Sequence, residues 1–396
     1  MVDRLREFRL IRAPSVEAAR RATPRHLFVP GTTVERAYSN EAVVTHCDPD
    51  GVAVSSASAP GVVASMLEQL DVRPGHRVLE IGAGTGYNAA LLARLVGSAG
   101  EVTTVDIDEE VVRGARECLA AAGCPGVSVV CGDGEFGCAD HALYDRIVVT
   151  GGAWDLPSAW ADQLAPGGRL VVPLRMRGLT RSIAFDREDG YWRSRSIEEC
   201  GFIPLRGAGG VAERNIFLDG QRHVILRVDD GHPADAQALG QALDHPPALS
   251  WTGVTGAFEH LDFWLATLDG FCRLLVAPGA IDRGLIAPIF GWGSMGVFDR
   301  DTVAYLTRRT TNDPNGIEQP FELGVCAYGP GGEELASRVA DRVRVWDRER
   351  QLMTEVWIEA HPADSDNTPS GQLVIPKRHT QVIVRTTLRE SDHEHS

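Results

Sequence analysis

The sequence predicts an α/β protein, with a doubly wound, mostly parallel sheet at the N-terminal end and a smaller α+β domain after it. Three observations carry this. Short apolar runs alternate with helical patterns between residues 77 and 172, and the loop Gly82-Ala83-Gly84-Thr85-Gly86 joins one such run to a helix. The pattern then changes at residues 207–222, where GAGGVAERNIFLDGQR is polar and rich in glycine. A chain of 396 residues accommodates two domains at roughly 100–200 residues each.

Taken in order, residues 15–29 begin as a helix that Ser15 can cap and Pro24 ends. Residues 60–72 place Val62, Val63, Met66, Leu67 and Leu70 at helical spacing. Strands follow at 77–81, 101–105, 127–130, 146–150 and 169–172, the last after the turn Pro166-Gly167-Gly168. Helices at 87–96 and 109–122 separate the first of these strands, and Gly123 stops the second helix. Apolar strands alternating with helices make a sheet covered on both faces. In the second half, HVILRV (223–228) reads as a strand and HLDFWLATLDGFCRLL (260–275) as a helix. FGWGSMG (290–296) reads as an exposed glycine-rich loop presenting Phe290, Trp292 and Met295. LGVCAY (323–328) leads through Gly329-Pro330-Gly331-Gly332 into a helix with Leu335, Val339, Val343 and Trp346 on one stripe. Two more strands fall at 355–360 and 380–386. The expected division is therefore 1–215 and 216–390, with a disordered tail at 391–396.

Composition narrows the function. With 39 basic against 54 acidic residues the net charge is −15, which argues against general nucleic-acid binding. No run of about 18 apolar residues predicts a membrane span. The N-terminus lacks the apolar core of a signal peptide. Cysteines at 47, 118, 124, 131, 138, 200, 272 and 326 include no Cys-x-x-Cys pair, so no zinc or other metal site is expected. They read as reduced, mostly buried thiols of a cytoplasmic protein.

The strongest local signal is RVLEIGAGTGYNAALLA, a strand entering a helix through a tight glycine loop. A dinucleotide fingerprint would need Gly or Ala at position 87, where this chain has Tyr87, and would bring a pyrophosphate near Glu80. The pattern Glu80-x-Gly82-x-Gly84-x-Gly86 instead resembles motif I of class I S-adenosylmethionine-dependent methyltransferases, whose domain is Rossmann-like. A carboxylate at the strand end suits a cofactor bearing an ammonium and a sulfonium. Asp106 ends the next strand, 26 residues on, where it can accept hydrogen bonds from ribose hydroxyls; Asp108 is the close alternative. In the family that motif I resembles, the counterpart of Asp133, in Cys131-Gly132-Asp133-Gly134, contacts the adenine amino group.

Beyond these generic motifs, PRHLFVP (24–30), Ala37-Tyr38, Ser58-Ala59-Pro60, GDG and DQLAPGGRLVVPL (162–174) resemble the protein-L-isoaspartate O-methyltransferase family across residues 15–205. That resemblance implies S-adenosylmethionine as methyl donor, S-adenosylhomocysteine as product, and an acceptor carboxylate hydrogen-bonded by Ser58. It places Ser56, His26, Tyr38 and Pro60 on the acceptor side, with His26 holding the loop. The alternative for Ser58 is a cap on the helix that begins at Pro60, a role compatible with the first, and the acceptor role is the favoured reading. A carboxylate is nucleophilic at neutral pH, so the transfer needs placement and no general base. No convincing His/Asp or Cys/His constellation appears, and His46 receives no role.

Two departures from the repair enzymes of this family redirect the expectation. The segment before Ser58 is HCDPDGVAVSSASAP, with the extra small residues Ser55 and Ser56 and Gly61-Val62-Val63 after Pro60, and repair enzymes are expected to lack the second domain. Together with LGVCAYGPGG and VWDRE, these features are similar to methyltransferase homologues that accompany lanthipeptide or graspetide precursors. The leading expectation is thus esterification of an ordinary aspartate in a macrocyclised ribosomal precursor peptide. Succinimide (aspartimide) formation follows, with possible hydrolysis to isoaspartate. A general isoaspartyl repair enzyme and a non-catalytic scaffold are the alternatives. The second domain is expected to grip the peptide. Trp251, Phe258, Phe263, Trp264 and Phe271 are expected in its core, and Arg25, Arg36, Arg175 and Arg177 are candidates for the entrance. No nucleic acid or membrane partner is expected, and sequence leaves the oligomeric state open.

Overall fold

A computed structural model describes residues 1–49, 51–211, 214–228, 233–311, 321–365, 371 and 373–388. The expected tail at 391–396 lies outside the described residues. The chain opens with α1 (Val2–Glu7), α2 (Pro14–Ala22) and α3 (Val34–Ala37), then a hairpin of β1 (Val43–Cys47) and β2 (Ala53–Ala57). Ser15 does not cap α2: the cap position is Ala13, and Pro14 starts the helix with the φ a first turn needs. Helix α4 (Pro60–Leu70) then leads into β3 (Arg77–Ile81), α5 (Tyr87–Val96), β4 (Glu101–Asp106), α6 (Glu109–Ala121), β5 (Ser128–Cys131), β6 (Tyr144–Val149), α7 (Ser158–Gln163) and β7 (Leu164–Met176). Strands β3 to β7 pair in parallel, in the order β7-β6-β3-β4-β5. Strand order reverses between β3 and β6, and a doubly wound sheet leaves its ligand crevice at such a point.

The sheet does not end at β7. Antiparallel β8 (Leu179–Glu188) and β9 (Tyr191–Glu199) extend it. A second, wholly antiparallel sheet is built from β10 (Arg214–Phe217), β11 (Val224–Val228), β12 (Ala248–Thr255), β13 (Phe271–Val276), β14 (Gly293–Asp299), β15 (Thr302–Thr310) and β16 (Phe321–Tyr328). Short helices α8 (Ala236–Leu239), α9 (Leu261–Leu265) and α10 (Pro278–Asp282) fill its connections, and α11 (Gly332–Arg350) follows it. Leu335, Val339, Val343 and Trp346 of α11 are all buried, as their spacing requires.

Three expectations for this half are corrected. Residues 260–275 are not one helix: α9 ends at Leu265 and β13 begins at Phe271. Between them Gly270 has φ +74°, and a Cβ there would meet the Phe298 backbone, so only glycine makes this turn. FGWGSMG is not a surface loop, because Gly293 starts β14 and Met295 is buried, while Trp292 keeps 45% exposure. The last three strands, β17 (Met353–Pro362), β18 (Leu373–Pro376) and β19 (Thr380–Leu388), do not belong to the second sheet. They return to the first, where β17 pairs with β9 and completes a ten-stranded sheet.

The strand pairing therefore crosses the expected boundary at residue 215. One hydrophobic cluster runs from Leu79, Ile81 and Phe185 to Leu261, Trp346 and Val382, so the two sheets share a core. Cysteines are also less buried than expected: Cys124, Cys272 and Cys326 are buried, while Cys47 and Cys131 are exposed.

Candidate active site

The crevice at the strand-order reversal is a cavity of about 410 Å3, lined by Ser56, Ser58, Glu80, Gly82, Asp106 and Phe202 among others. Its floor follows from β3 running into α5. Gly82 has φ +99°, and a Cβ would lie 2.5 Å from Thr150 Oγ1, the hydroxyl that donates to the Gly82 carbonyl at 2.6 Å. Gly86 has φ +81° and backs onto α6, where a Cβ would stand 3.1 Å from Leu119 Cγ. Its role is helix packing, and it does not line the cavity.

Glu80 is fully buried, and its carboxylate accepts from Asn88 Nδ2 at 2.8 Å and Thr104 Oγ1 at 2.5 Å. No Arg or Lys pairs with it among the described residues. Burial pushes its pKa up to about 7, against the two hydrogen bonds that favour the charge. An anionic group held without a cation beside a cavity fits a cationic ligand and opposes a phosphate. Asp106 accepts from the amides of Gly84 (3.1 Å) and Asp108 (3.2 Å), and burial raises its pKa too. Asp108 instead caps α6 through the amides of Glu110 and Val111 and pairs with Arg206 at 3.2 Å, so that of the two only Asp106 lines the cavity.

Asp133 does not line the cavity, although Gly134 does. Its carboxylate accepts from Ala208 N at 2.7 Å and Glu135 N at 3.0 Å. It thereby anchors the segment 201–208, whose Phe202, Leu205 and Arg206 cover the cavity. Backbone bonds between Gly152 and both Ile203 (2.8 Å) and Leu205 (3.0 Å) fix the other side of this cover.

On the acceptor wall, Ser58 is half-buried, and its hydroxyl makes no hydrogen bond among the described residues. The cap position of α4 is Ala59, with no side-chain cap, so Ser58 is not spent on the helix. Ser56 lines the same wall. Pro60 opens α4 and is buried outside the cavity. His26 and Tyr38 bond each other at 2.9 Å, Nδ1 to the phenol oxygen, on the outer side of the loop, and neither lines the cavity.

The residue that fastens this wall is one assigned elsewhere from sequence. Arg25 is not at the entrance: it is fully buried, and donates to the carbonyls of Ala37 (2.8 Å) and Ala57 (3.2 Å), tying PRHLFVP to the residue before Ser58. Its guanidinium lies 5.1 Å from the Tyr87 ring centre. Arg20 donates to the Pro60 carbonyl at 3.0 Å, and Asn40 accepts from Gly61 N at 2.7 Å. The motif PRHLFVP was the available signal: His26 bonds Tyr38 within this loop, while Arg25 ties the loop to the residue before Ser58. Of the other expected entrance arginines, Arg36 is exposed, Arg177 reaches Asp269 at 4.0 Å, and Arg175 is buried over Trp154.

Comparison with known proteins gives this arrangement its chemistry. A model of the family "Protein-L-isoaspartate(D-aspartate) O-methyltransferase" matches residues 1–209. The chain belongs to that family. It is 42% identical over 215 residues to the protein-L-isoaspartate O-methyltransferase of Methanopyrus kandleri, covering 54% of this chain and 92% of the relative. The second such enzyme of Archaeoglobus fulgidus is 40% identical over 210 residues, covering 53% of this chain and 93% of its own. A solved protein-L-isoaspartate O-methyltransferase shares the fold with TM-score 0.50 at 21% identity, across 91% of this chain and 96% of its own. Likeness over that span removes one expected departure: a region beyond residue 209 is not foreign to structures bearing the family name.

The enzyme is therefore an S-adenosylmethionine-dependent carboxyl O-methyltransferase with a class I fold in its first 209 residues. Among the described residues, no helix is long and apolar enough to cross a membrane.

Proposed function

We propose that this methyltransferase esterifies the free carboxylate of L-isoaspartyl residues in proteins and peptides. The observation that carries the proposal is the 42% identity to an isoaspartyl methyltransferase over 215 residues, with the family match at residues 1–209 containing every residue that lines the cavity. S-adenosylmethionine, when bound, supplies an electrophilic methyl group whose transfer leaves S-adenosylhomocysteine. Glu80 and Asp106 would hold it, the first toward its cationic part and the second toward its ribose. Ser58 presents a free hydroxyl to an acceptor carboxylate and fixes its direction. Val62, Val63 and Phe202 keep the reacting pair out of water, and no proton has to move because the acceptor is already ionised.

The peptide-tailoring reading, methylation of an ordinary aspartate in a macrocyclised lanthipeptide or graspetide precursor, moves to second place. What favours it is the acceptor wall, where Ser55, Ser56 and Ser58 all line the cavity and widen it with small side chains. The ester would activate the side-chain carbonyl, and the next backbone nitrogen would expel methanol to give the succinimide. Incubation with methyl-labelled S-adenosylmethionine separates the two readings. Label in linear isoaspartyl peptides supports the first. Label only in cyclised precursors carrying normal aspartate overturns it in favour of the second.

A further inference from the structure

Two arginines hold the acceptor wall from behind, bracketing Ser58 in sequence. Arg25, in the single turn Arg25–Phe28, donates from Nη2 to the carbonyl of Ala57, the residue before Ser58. Arg20, in the last turn of α2, donates from Nη2 to the carbonyl of Pro60, two residues after it. Both are buried and neither lines the cavity, whereas Ser58, Ala59 and Tyr87 do. Arg25 lies 5.1 Å from the centre of the Tyr87 ring.

No carboxylate balances these two charges among the described residues. Arg20 Nε and Nη1, Arg25 Nη1 and Tyr87 Oη have no hydrogen-bond partner there, and Arg25 Nε is taken by the Ala37 carbonyl. The ionisable group that acts on Arg20 is Tyr87; those that act on Arg25 are Tyr87, Arg20 and Tyr38. A phenol is uncharged near neutral pH, and burial raises the Tyr87 pKa further. The buried carboxylates of the same cavity face other partners: Glu80 accepts from Asn88 and Thr104, and Asp106 from the amides of Gly84 and Asp108. Burial lowers the pKa of both arginines, yet a guanidinium stays protonated throughout the working range of an enzyme. Water satisfies idle N–H groups but cancels no charge. Arg25 also acts through the main chain. A trans peptide sets its N–H opposite its carbonyl, so the Ser58 N–H is turned away from Arg25, and it donates to no group among the described residues. A cation on the carbonyl side strengthens that N–H as a donor.

We propose that Arg20 and Arg25 are positioning residues that make the acceptor wall selective for an anion, favouring a free carboxylate at Ser58 over an uncharged carboxamide of the same shape. Fixed charges in a poorly solvated wall act on a ligand without having to reorganise when it arrives. Glu80 and Asp106 do the converse on the cofactor side, so the cavity is polarised, with a cationic donor and an anionic acceptor each drawn to its own part. The proposal rests on the reading of the Ser58 cavity as the carboxyl-methylating site.

The test uses the full-length enzyme saturated with S-adenosylhomocysteine, which keeps turnover off. The probes are a fluorescent isoaspartyl peptide and a twin whose free carboxylate is a carboxamide. Anisotropy should give the carboxylate form a Kd about 100-fold lower, and the ratio should persist in about 0.5 M salt, because buried charges are screened far less than exposed ones. In Arg20→Gln and in Arg25→Gln the ratio should fall about tenfold, while the Kd for S-adenosylhomocysteine stays within about twofold of wild type. Asn40→Ala is the structural control: it cuts an uncharged tie to Gly61 N beside the same wall and should weaken both peptides alike. A wild-type ratio near one, or one that collapses in salt, overturns the proposal without recourse to any variant. A ratio unchanged in both arginine variants, or lowered as far in Asn40→Ala, overturns it too. Methylation of the same peptide with S-adenosylmethionine keeps the two readings apart. If the carboxylate peptide binds with the arginine-dependent preference and is not methylated, the anion-selective wall stands and the isoaspartyl reading falls. If it is methylated and the preference ignores both arginines, the reverse holds.

Discussion

Replacing Glu80 by Gln should change two properties in opposite directions, and the pH at which each changes follows from its burial. The carboxyl group titrates near pH 4.5 in the unfolded chain and at about 7 in the folded one. Between those values the folded state binds the extra proton, so the stability of the ligand-free enzyme falls as pH rises through this window. The total loss is about 3 kcal/mol for a shift of this size at ~1.4 kcal/mol per unit. Glutamine keeps the shape and removes the charge, so the stability of Glu80→Gln relative to wild type should climb by about that amount between pH 4.5 and 7 and then level off. Cofactor affinity should move the other way. Only the ionised group attracts a cation, and at pH 6 about nine-tenths of it is protonated. The Kd for S-adenosylmethionine should therefore rise about tenfold per pH unit below 7 and flatten above it. In Glu80→Gln that slope should vanish, with Kd at pH 7.5 weaker by about ten- to 100-fold, the loss of one charge-assisted contact. Titration calorimetry between pH 5.5 and 7.5, alongside denaturant unfolding, measures both. A Kd that does not vary with pH in the wild-type enzyme, or the same slope in Glu80→Gln, refutes the assignment. The second result would transfer the titration to Asp106, the other carboxyl that burial raises in this cavity.

Ser58→Ala should raise KM for the acceptor about tenfold or more and leave cofactor Kd within twofold, because the hydroxyl serves neither α4 nor any other group among the described residues; unchanged steady-state kinetics would count against it. Gly86→Ala should lower stability by about 1–2 kcal/mol from its left-handed backbone alone, with a further cost as Leu119 yields; thermal unfolding no different from wild type would contradict that packing role. Deleting residues 222–396 should give an aggregating protein rather than a trimmed enzyme. It strips β17 from the β9 edge and uncovers the shared core around Ile183, Phe185 and Trp192, each side chain worth about 1.5–3 kcal/mol of burial. A soluble fragment with the unfolding midpoint of the full chain, seen by circular dichroism, would show that the two sheets are independent after all.

What could be read from sequence was what is encoded within one strand–loop–helix unit. Glu80, the glycine loop and Asp106 lie where their local pattern requires, and the stripe of α11 is written in its own spacing. Two kinds of information were not local. FCRLLV continues the apolar rhythm of FWLATL closely enough to pass for helix, and only the backbone of Phe298, distant in sequence, makes Gly270 a turn. Strands 355–360 and 380–386 were recognisable as strands, but nothing in them says that the first pairs with β9, more than 150 residues earlier, and so carries the second into the same sheet. Arg25 illustrates a third limit. A charged residue in a motif reads as a surface or ligand contact, whereas here Nε and Nη2 are turned inward onto two main-chain carbonyls that sequence cannot count.

The return of the C-terminal strands bears on the cofactor site itself. The turn joining β18 to β19 lands on the cover of the cavity: Arg378 donates to the Ala208 carbonyl at 3.3 Å, and His379 Nε2 to Glu135 at 3.0 Å. Thr380 Oγ1 donates to Asp155 at 2.6 Å. Ala208 is thus held twice, through its amide by Asp133 and through its carbonyl by Arg378. Asp133, expected from the resemblance to contact adenine, is engaged on the protein side of that cover. The segment that carries Leu205 and Arg206 over the cavity is therefore fastened partly by a hairpin some 170 residues downstream. The C-terminal region cannot be treated as a detachable specificity module, because the same strands that complete the sheet also fasten the lid of the catalytic cavity.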